Sequence, residues 1–304
     1  MSRPMDRSRS RPRVPARLLD YSEWQDAPVI LPAPALEKGQ RWYLGACAIV
    51  RDELDLPEWV AYQFAVGVQH IHIFDNESVI PVVDRLPKWI ADGKVSVTRV
   101  RGRRMQNECY TRYLTESQSR WTAFIDIDEF LLPYGTDDLK NILPPYEQYG
   151  GLGVCWHVFG ANGHAQRPRG LVIENYVKRG PITFDIYGMG KPQYKTIVQT
   201  KKAAACGNPH FFEYQPGWRA VNDAGVKMPS RTHGPASAQV VQLNHYMCKS
   251  LEDWRLKQER RGGASGRPRT DDHWEMIQAA CNAIEDRAIQ RFAPRVKELM
   301  AAYA

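Results

Sequence analysis

Apolar and polar segments alternate between residues 42 and 127 in the repeated order strand, then helix. Four short apolar runs predict strands, and the amphipathic stretches between them predict helices. The predicted strands are Trp42–Val50, His70–Phe74, Val95–Val100 and Trp121–Ile127. The predicted helices are Pro57–Val68, Pro81–Ala91 and Gln106–Ser119. This alternation predicts the α/β class, with a mostly parallel open sheet and helices on both faces.

The pattern is less regular after residue 133. It predicts a short helix at Asp138–Leu143, strands at Gly151–Phe159, Tyr194–Thr200 and Val240–Tyr246, and an amphipathic helix at Ser250–Arg261. Residues 271–304 are predicted to be helical with an interruption at Pro294. Residues 160–169 and 201–238 are rich in polar and turn residues, and we expect them to recognise an acceptor because long irregular loops are often functional.

Three acidic residues follow the fourth predicted strand in the segment WTAFIDIDEFLLP, namely Asp126, Asp128 and Glu129. Open α/β sheets bind ligands at the carboxyl ends of their strands. If the strand continues through this segment, alternation places Asp126 and Asp128 on one face. Two neighbouring carboxylates repel each other unless a cation or a proton lies between them, and a divalent metal with a diphosphate satisfies that need. A structural role as turn caps is the alternative.

The other predicted strands also end in polar residues. Arg51 and Glu53 follow the first strand, Asp75 follows the second, and Arg101 and Arg103 follow the third. Acids at such an edge can accept hydrogen bonds from ribose, and arginines can neutralise phosphate. Neither GxGxxG nor GxxxxGK[ST] occurs, which disfavours a dinucleotide site and a P-loop.

The net charge of +7 is concentrated at the start of the chain, since residues 1–20 hold six arginines and two aspartates. Such a distribution indicates a basic tail rather than a nucleic-acid-binding face, so no nucleic acid partner is expected. Residues 1–38 are rich in Arg, Ser and Pro and predict a flexible arm, for which contact with an anionic membrane surface is one option.

No apolar run is long enough for a transmembrane helix, and the N-terminus lacks the apolar region of a secretory signal. The six cysteines form no CxxC pair, which disfavours a zinc ribbon. These features predict a cytoplasmic protein, with peripheral contact at the inner face of the membrane as a further option.

Several short motifs, taken in order, resemble one enzyme family. They are AIVRDE, IFDNES, WTAFIDIDEF, WHVFGANG, KTIV, HFF and NHYMCKSLEDW. Together they resemble the glycosyltransferases of the GT-A superfamily, most closely the bacterial relatives of family 92, which are related to family 2. The resemblance spans about Trp42–Gly263. It implies an arm at 1–38, a GT-A catalytic domain at 39–263 and a C-terminal helical extension at 264–304.

The resemblance implies a metal-dependent, inverting transferase. Its donor would be a nucleotide-diphosphate sugar, with uridine as the expected base, and its acceptor a carbohydrate or a lipid-linked glycan. Asp126 and Asp128 would hold Mn²⁺ or Mg²⁺ on the diphosphate. Arg51, Glu53 and Asp75 would lie near the base and the ribose.

The same resemblance suggests roles for other residues. His245 would be a third metal ligand or a diphosphate contact, since imidazole suits Mn²⁺ beside carboxylates. Lys195 would contact phosphate. The general base stays open, and its candidates are Glu129, Glu213, His164 and Asp253. Glu129 could instead orient a metal ligand.

Two other functions remain open on the sequence alone. One is a noncatalytic nucleotide-sugar or glycan-binding module, which the intact acid pair disfavours. The other is a metal-dependent nucleotidyl or phosphoryl transferase, which would use the same acids with a nucleoside triphosphate.

Overall fold

The protein is described by a computed structural model for residues 32–259 and 269–304. Four parallel strands form one half of the central sheet, namely β1 (Trp42–Val50), β2 (His70–Asn76), β3 (Val95–Val100) and β4 (Ser119–Phe124). They lie side by side in the order β3-β2-β1-β4. Strands β1 and β4 form from continuous apolar runs because they are buried on both faces, whereas β3 lies at the sheet edge, has an alternating sequence and is largely half-buried.

The helices between these strands cover both faces of the sheet. They are α1 (Leu56–Ala65), α2 (Val82–Arg85), α3 (Pro87–Ala91) and α4 (Gln106–Glu116). Trp59 of α1 packs with Ala46 of β1 in the larger core, whereas Tyr110 of α4 packs with Cys47 on the opposite face. The predicted α/β class with helices on both faces is therefore confirmed.

The other half of the sheet is mixed, with strands in the order β4-β8-β6-β12-β5. These strands are β5 (Glu129–Pro133), β6 (Gly151–Val158), β8 (Tyr194–Gln199) and β12 (Val241–His245). Strand β8 is antiparallel to both β4 and β6, β12 is parallel to β6, and β5 is antiparallel to β12. This arrangement brings the ends of β4, β5, β8 and β12 to one place.

The remaining elements are short. They are α5 (Val172–Asn175), β7 (Lys178–Arg179), β9 (Ala203–Asn208), β10 (Phe211–Tyr214), β11 (Ala220–Asn222), α6 (Leu251–Glu259), α7 (Asp271–Ala280), β13 (Ile284–Glu285) and α8 (Ala293–Tyr303). Single 3₁₀ turns occur at Leu139–Asn141, Pro144–Tyr146, Thr200–Lys202 and Ala288–Phe292. The hairpin β9–β10 forms within the region in which the sequence pattern predicts no regular structure.

Several predicted boundaries differ from the observed ones for local reasons. The predicted helix Pro81–Ala91 is two helices, because Pro87 starts α3 and Leu86 before it leaves the helical conformation. Pro294 lies in the first turn of α8, where a proline is tolerated. Most of the predicted arm 1–38 lies outside the described residues.

The C-terminal helices share the main core. Ile277 of α7 and Val296 of α8 are fully buried in the same cluster as Leu44 of β1. The division at residues 263 and 264 remains a prediction. No helix of the described residues is both long enough and apolar enough to cross a membrane.

Candidate active site

Asp126 and Asp128 lie in a tight turn that joins β4 to β5. Strand β4 ends at Phe124, and the turn is closed by the amide of Glu129, which donates to the carbonyl of Asp126 at 3.0 Å. The expectation that both acids share one face of a strand is therefore wrong. The chain turns here because β4, before the turn, pairs with β1 and β8, whereas β5, after the turn, pairs with β12. In the β5–β12 pair, Glu129 lies opposite His245.

Lys195 lies beneath the first acid of this turn. Its ammonium is 2.8 Å from Asp126 Oδ2 and 3.3 Å from Glu129 Oε2. Its side chain is 1% exposed, whereas that of Asp126 is 37% exposed. The ammonium thus contacts the acid groups of both Asp126 and Glu129, and the phosphate contact expected from the sequence remains a prediction.

Two further groups fix the position of Asp126. The amide of Gln106, at the start of α4, donates from Nε2 to Asp126 Oδ1 at 2.7 Å. Glu129 Oε2 accepts a hydrogen bond from the backbone N–H of Asp126 at 2.8 Å. The side chain of Glu129 is fully buried, and its Oε1 has no partner among the described residues. Glu129 thus holds the backbone of Asp126, and the orienting role considered above remains a prediction.

Asp128 has a different set of partners. Lys257, near the end of α6, donates from Nζ to Asp128 Oδ2 at 2.6 Å and to the carbonyl of Met247 at 2.9 Å. His245 Nε2 lies 3.5 Å from Asp128 Oδ1. Each acid of the turn is therefore neutralised by its own lysine.

His245 is packed against an aromatic wall. The ring of Trp156 lies 4.1 Å, between centroids, from His245 and 4.9 Å from His210. His210 Nδ1 interacts with the carbonyl oxygen of Tyr194 at 2.9 Å. Trp156 Nε1 and His245 Nδ1 are buried and have no hydrogen-bond partner among the described residues. His245 and His210 thus lie together beside the acid turn.

Burial and charge set the ionisation of this site. Burial raises the pKa of Asp126 and Asp128. Lys195 together with His210 outweighs burial at Asp126, and Lys257 together with His245 and Lys249 outweighs it at Asp128, so both pKa values are lowered. Burial raises the pKa of Glu129 to about 8 in spite of Lys195. Burial also lowers the pKa of His245 and, together with Lys195, lowers that of His210 to about 3. The site therefore combines two ionised carboxylates with neutral imidazoles near pH 7.

The residues predicted to contact the nucleotide lie at the adjacent strand ends. Both oxygens of Asp75 already accept backbone hydrogen bonds, from Ser78 at 3.0 Å and Val82 at 3.1 Å. Arg51 is exposed, and Glu53 is half-buried. Asp75 thus holds the turn after β2, and the three nucleotide contacts remain predictions.

The loops after β1, β2 and β3 each contain a residue with positive φ. These are Asp52 (53°), Glu77 (60°) and Arg104 (58°). The loops are cross-linked, because Asp52 Oδ1 accepts from the amide of Val79 at 2.7 Å and Glu77 Oε2 accepts from Gly102 at 3.4 Å. Backbone conformations of this kind are costly and cluster at binding sites. The loops at the carboxyl ends of β1, β2 and β3 are therefore held together by these hydrogen bonds.

A pocket beside the acid turn contains several cations. Its lining includes Arg167, Lys249, Lys257, Glu53 and Asp253. Asp55, beneath the pocket, forms ion pairs with both Arg167 and Lys249, and Arg167 Nη1 lies 2.5 Å from Asp253 Oδ1. The pocket thus contains three positive side chains, of which Lys257 is paired with Asp128 and the other two are paired with Asp55 and Asp253.

The candidates for the general base differ in position. Asp253 is paired with Arg167 and accepts a hydrogen bond from the hydroxyl of Ser250 at 2.7 Å. His164 Nε2 lies 3.3 Å from the carbonyl oxygen of Asn175, and Glu213 is exposed on β10. Glu129 is fully buried and contacts Asp126 and Lys195, and a part for it in catalysis remains a prediction.

Three residues of the site, Gln106, Trp156 and Lys257, were not predicted from the sequence. Gln106 and Lys257 are ordinary polar residues of amphipathic helices, and their partners are 20 and 129 residues away in the chain. Trp156 lies in the motif WHVFGANG, and this motif was the only feature of the sequence that indicated a functional role for it.

Comparison with known proteins identifies the family. The sequence model of glycosyltransferase family 92 matches residues 50–283. The chain belongs to glycosyltransferase family 92. The resemblance inferred from the motifs is thereby confirmed, and the matched segment contains the whole acid turn with Lys195, His245 and Lys257.

Two curated family 92 proteins illustrate the relationship. One, from Oryza sativa subsp. japonica, is 28% identical over 187 residues, which cover 58% of this chain and 30% of that protein. Another, from Ricinus communis, is 26% identical over 243 residues, which cover 76% of this chain and 40% of that protein. Both relatives are plant proteins, so the expected likeness to bacterial members is not confirmed. The chain spans less than half the length of these relatives.

A solved structure was also found, that of S. aureus TarS 1-349 in complex with UDP. It aligns with 52% of this chain and 46% of its own at 12% identity and a TM-score of 0.32. A TM-score this low carries no structural argument.

Proposed function

We propose that this family 92 chain transfers a sugar from a nucleotide-diphosphate donor, with uridine as the expected base, to a hydroxyl group of a glycan acceptor. The observation that carries the proposal is the acid turn at the strand-end edge, where Asp126 and Asp128 lie with two lysines and His245. Membership of the family supports the reaction class. The inverting outcome is likewise a proposal.

The ligand atoms that the turn offers are of the kinds that a divalent cation prefers. Asp126 and Asp128 offer hard oxygens and His245 offers an imidazole, a set that suits Mn²⁺ or Mg²⁺. Within residues 32–259 and 269–304, however, no three His, Cys, Asp or Glu side chains converge as a metal site requires. Lys257 also lies 2.6 Å from Asp128, so a metal at this carboxylate has to displace its ammonium. We propose that Asp126, Asp128 and His245 hold the metal after that displacement.

A bound metal would act as a Lewis acid on the departing diphosphate. The chain's own residues prepare the site for that charge. Lys195 and Gln106 hold Asp126 in one orientation, and Glu129 holds its backbone. In the adjacent pocket, Arg167 and Lys249 are already paired with Asp55 and Asp253. A carboxylate that is already oriented, as Asp126 is, lowers the barrier because it needs no rearrangement during the reaction.

The test is calorimetric titration with a panel of uridine, guanosine and adenosine diphosphate sugars, first with Mn²⁺ and then with EDTA. We expect one diphosphate sugar to bind tightly with the metal and weakly without it. Nucleoside triphosphates serve as the comparison, because a nucleotidyl transferase would prefer them. Failure of every diphosphate sugar, with triphosphates binding, would contradict the proposed reaction.

A further inference from the structure

A second pocket lies against β6, beside the acid turn. We propose that it binds one edge of a neutral sugar unit, which in the proposed reaction belongs to the acceptor glycan. The role as acceptor site rests on the proposed function, whereas the binding of a sugar does not. None of the lining residues belongs to 160–169 or 201–238, where the sequence pattern predicts acceptor recognition. The lining includes Trp156, Phe184, Asp185, Ile186, Gln193 and Met247.

The pocket borders the acid turn through two contacts. The ring of Trp156 lies 4.1 Å, between centroids, from that of His245, whose Nε2 is 3.5 Å from Asp128 Oδ1. The carbonyl of Met247 accepts a hydrogen bond at 2.9 Å from Lys257, whose ammonium also pairs with Asp128. A group bound in this pocket would therefore lie next to the proposed reaction centre.

The strand order separates this pocket from the expected nucleotide contacts. In the sheet, β6 lies on one side of β4, and β1, β2 and β3 lie on the other. The residues expected to contact the base and the ribose follow β1 and β2. A nucleotide at those strand ends would leave the pocket against β6 to the second substrate.

The lining favours a neutral ligand with hydroxyl groups. The rings of Trp156 and Phe184 offer apolar surface to the C–H groups of a sugar ring. The side-chain amide of Gln193 can both donate to and accept from a hydroxyl group, and it has no hydrogen-bond partner among the described residues. No lysine or arginine lines this pocket, whereas Asp185 does, so a phosphate would find a carboxylate here and no charged donor.

The size of the pocket indicates that it holds only part of a ligand. Its empty space is about 210 Å³ with the open mouth included. Pockets that enclose a complete small ligand measure about 300–1,000 Å³, so a nucleotide sugar does not fit. Tyr187 and Met189 are 47% and 62% exposed and follow the lining residue Ile186 in the chain. They offer apolar surface to the rest of a glycan outside the pocket.

The outer wall of the pocket is the loop 181–192, which is held at both ends and near its middle. The amide of Gly180 and the carbonyl of Gln193 form backbone hydrogen bonds with β6, at 3.0 and 2.8 Å. Asp185 Oδ1 accepts from the amide of Tyr187 at 3.0 Å and lies 3.0 Å from His233 Nε2. The wall is thus formed before a ligand binds, which lowers the cost of ordering it.

Fluorine NMR of the full chain, labelled with 5-fluorotryptophan, tests the proposal. The chain has nine tryptophans, and the resonance that disappears in Trp156→Phe belongs to Trp156. The probes are the methyl pyranosides of galactose, glucose, mannose and N-acetylglucosamine, added without nucleotide or metal. We expect at least one of them to shift the Trp156 resonance in a saturable way.

The variant Gln193→Met removes the amide but keeps a side chain of similar length. We expect the Kd of the bound glycoside to rise about tenfold or more, because its hydroxyl group loses a hydrogen-bond partner. Gln118→Met, at an exposed position just before β4, is the matched control and should leave the Kd unchanged. If Gln193→Met does not fold, Ile186→Ser, at a half-buried position of the lining, replaces it with the same expected loss.

A calorimetric titration with the diphosphate sugars separates the two substrates. Gln193→Met should bind the donor as tightly as wild type does, because the pocket is not expected to contact it. Weaker donor binding in this variant would assign the pocket to the donor and overturn the proposal. A Trp156 resonance that no glycoside shifts, or a Kd that Gln193→Met leaves unchanged, would also overturn it.

The failure of this inference is distinguishable from the failure of the proposed function. If a glycoside binds at Trp156 but no diphosphate sugar binds to the chain, the sugar site stands and the proposed transfer falls. If a diphosphate sugar binds but no glycoside does, only the sugar site falls.

Discussion

Lys195 and Asp126 form an ion pair of 2.8 Å at the base of the acid turn, although 69 residues separate them in the chain. The lysine is fully enclosed and also lies 3.3 Å from the buried Glu129. One cation thus contacts two acidic residues of the turn that forms the candidate site. The Lys195–Asp126 ion pair connects this turn to β8.

Lys195→Met should destabilise the fold. Removing one partner of a buried pair costs about 3–5 kcal/mol, and we expect the lower end because Asp126 is 37% exposed. Urea denaturation followed by circular dichroism measures the change. Lys201→Met, which removes an exposed lysine, should stay within about 0.5 kcal/mol. A loss below about 1 kcal/mol in Lys195→Met would show that the two carboxylates do not depend on this cation.

Asp128→Asn should remove metal binding while the fold remains. The amide cannot replace the charge of a carboxylate ligand, so we expect the Mn²⁺ affinity to fall by about a hundredfold or more. Lys257 then loses its charged partner, which should cost about 1–3 kcal/mol of stability. Mn²⁺ titration and urea denaturation measure the two effects. Asp84→Asn, at an exposed position of α2, is the matched control. An unchanged Mn²⁺ titration in Asp128→Asn would exclude the acid turn as the metal site.

The sequence was sufficient for the parallel half of the sheet. Strands β1 and β4 coincide with apolar runs, because a strand buried on both faces leaves that signal in the sequence itself, and the edge strand β3 shows the alternation of a half-buried strand. The break between α2 and α3 was missed, although Pro87 was visible, because the apolar pattern continues across it. The proline thus determines where the helix ends, and the hydrophobic periodicity alone does not show this break.

The acid turn was predictable only in part. Its acids were found from their position after an apolar run, but the alternation argument placed them on a strand that ends at Phe124. Their partners depend on the strand order β4-β8-β6-β12, which brings Lys195 and His245 to the turn. That order is a property of long-range packing, and no local pattern encodes it. Lys257 was missed for the same reason.

His245→Gln should weaken metal binding without abolishing it. His245 Nε2 lies 3.5 Å from Asp128 Oδ1, and its ring is fixed against Trp156. We expect the Mn²⁺ affinity to fall by about ten- to a hundredfold, the range observed when groups around a metal are disturbed. Mn²⁺ calorimetry measures this change, with His273→Gln on α7 as the control. Equal Mn²⁺ affinity in wild type and His245→Gln would leave His245 with a packing role only.

Glu129→Gln should change how stability depends on pH. Burial raises the pKa of Glu129 to about 8 in the folded protein, whereas an unfolded glutamate has a pKa of about 4.3. Between these values the folded state binds more protons than the unfolded state, so the free energy of unfolding falls as the pH rises. A glutamine does not titrate and lacks this contribution.

The stability of wild type relative to Glu129→Gln should therefore decrease from about pH 5 to about pH 8, by at most about 1.4 kcal/mol per pH unit. Urea denaturation across this range measures the difference. Glu116→Gln is the control, because Glu116 is exposed on α4 and pairs only with the exposed Arg112 among the described residues. Parallel curves for wild type and Glu129→Gln would mean that Glu129 is ionised beside Lys195. The carboxylate would then be a permanent counter-ion of that lysine, and the orientation of Asp126 would depend on its charge rather than on its hydrogen bond alone.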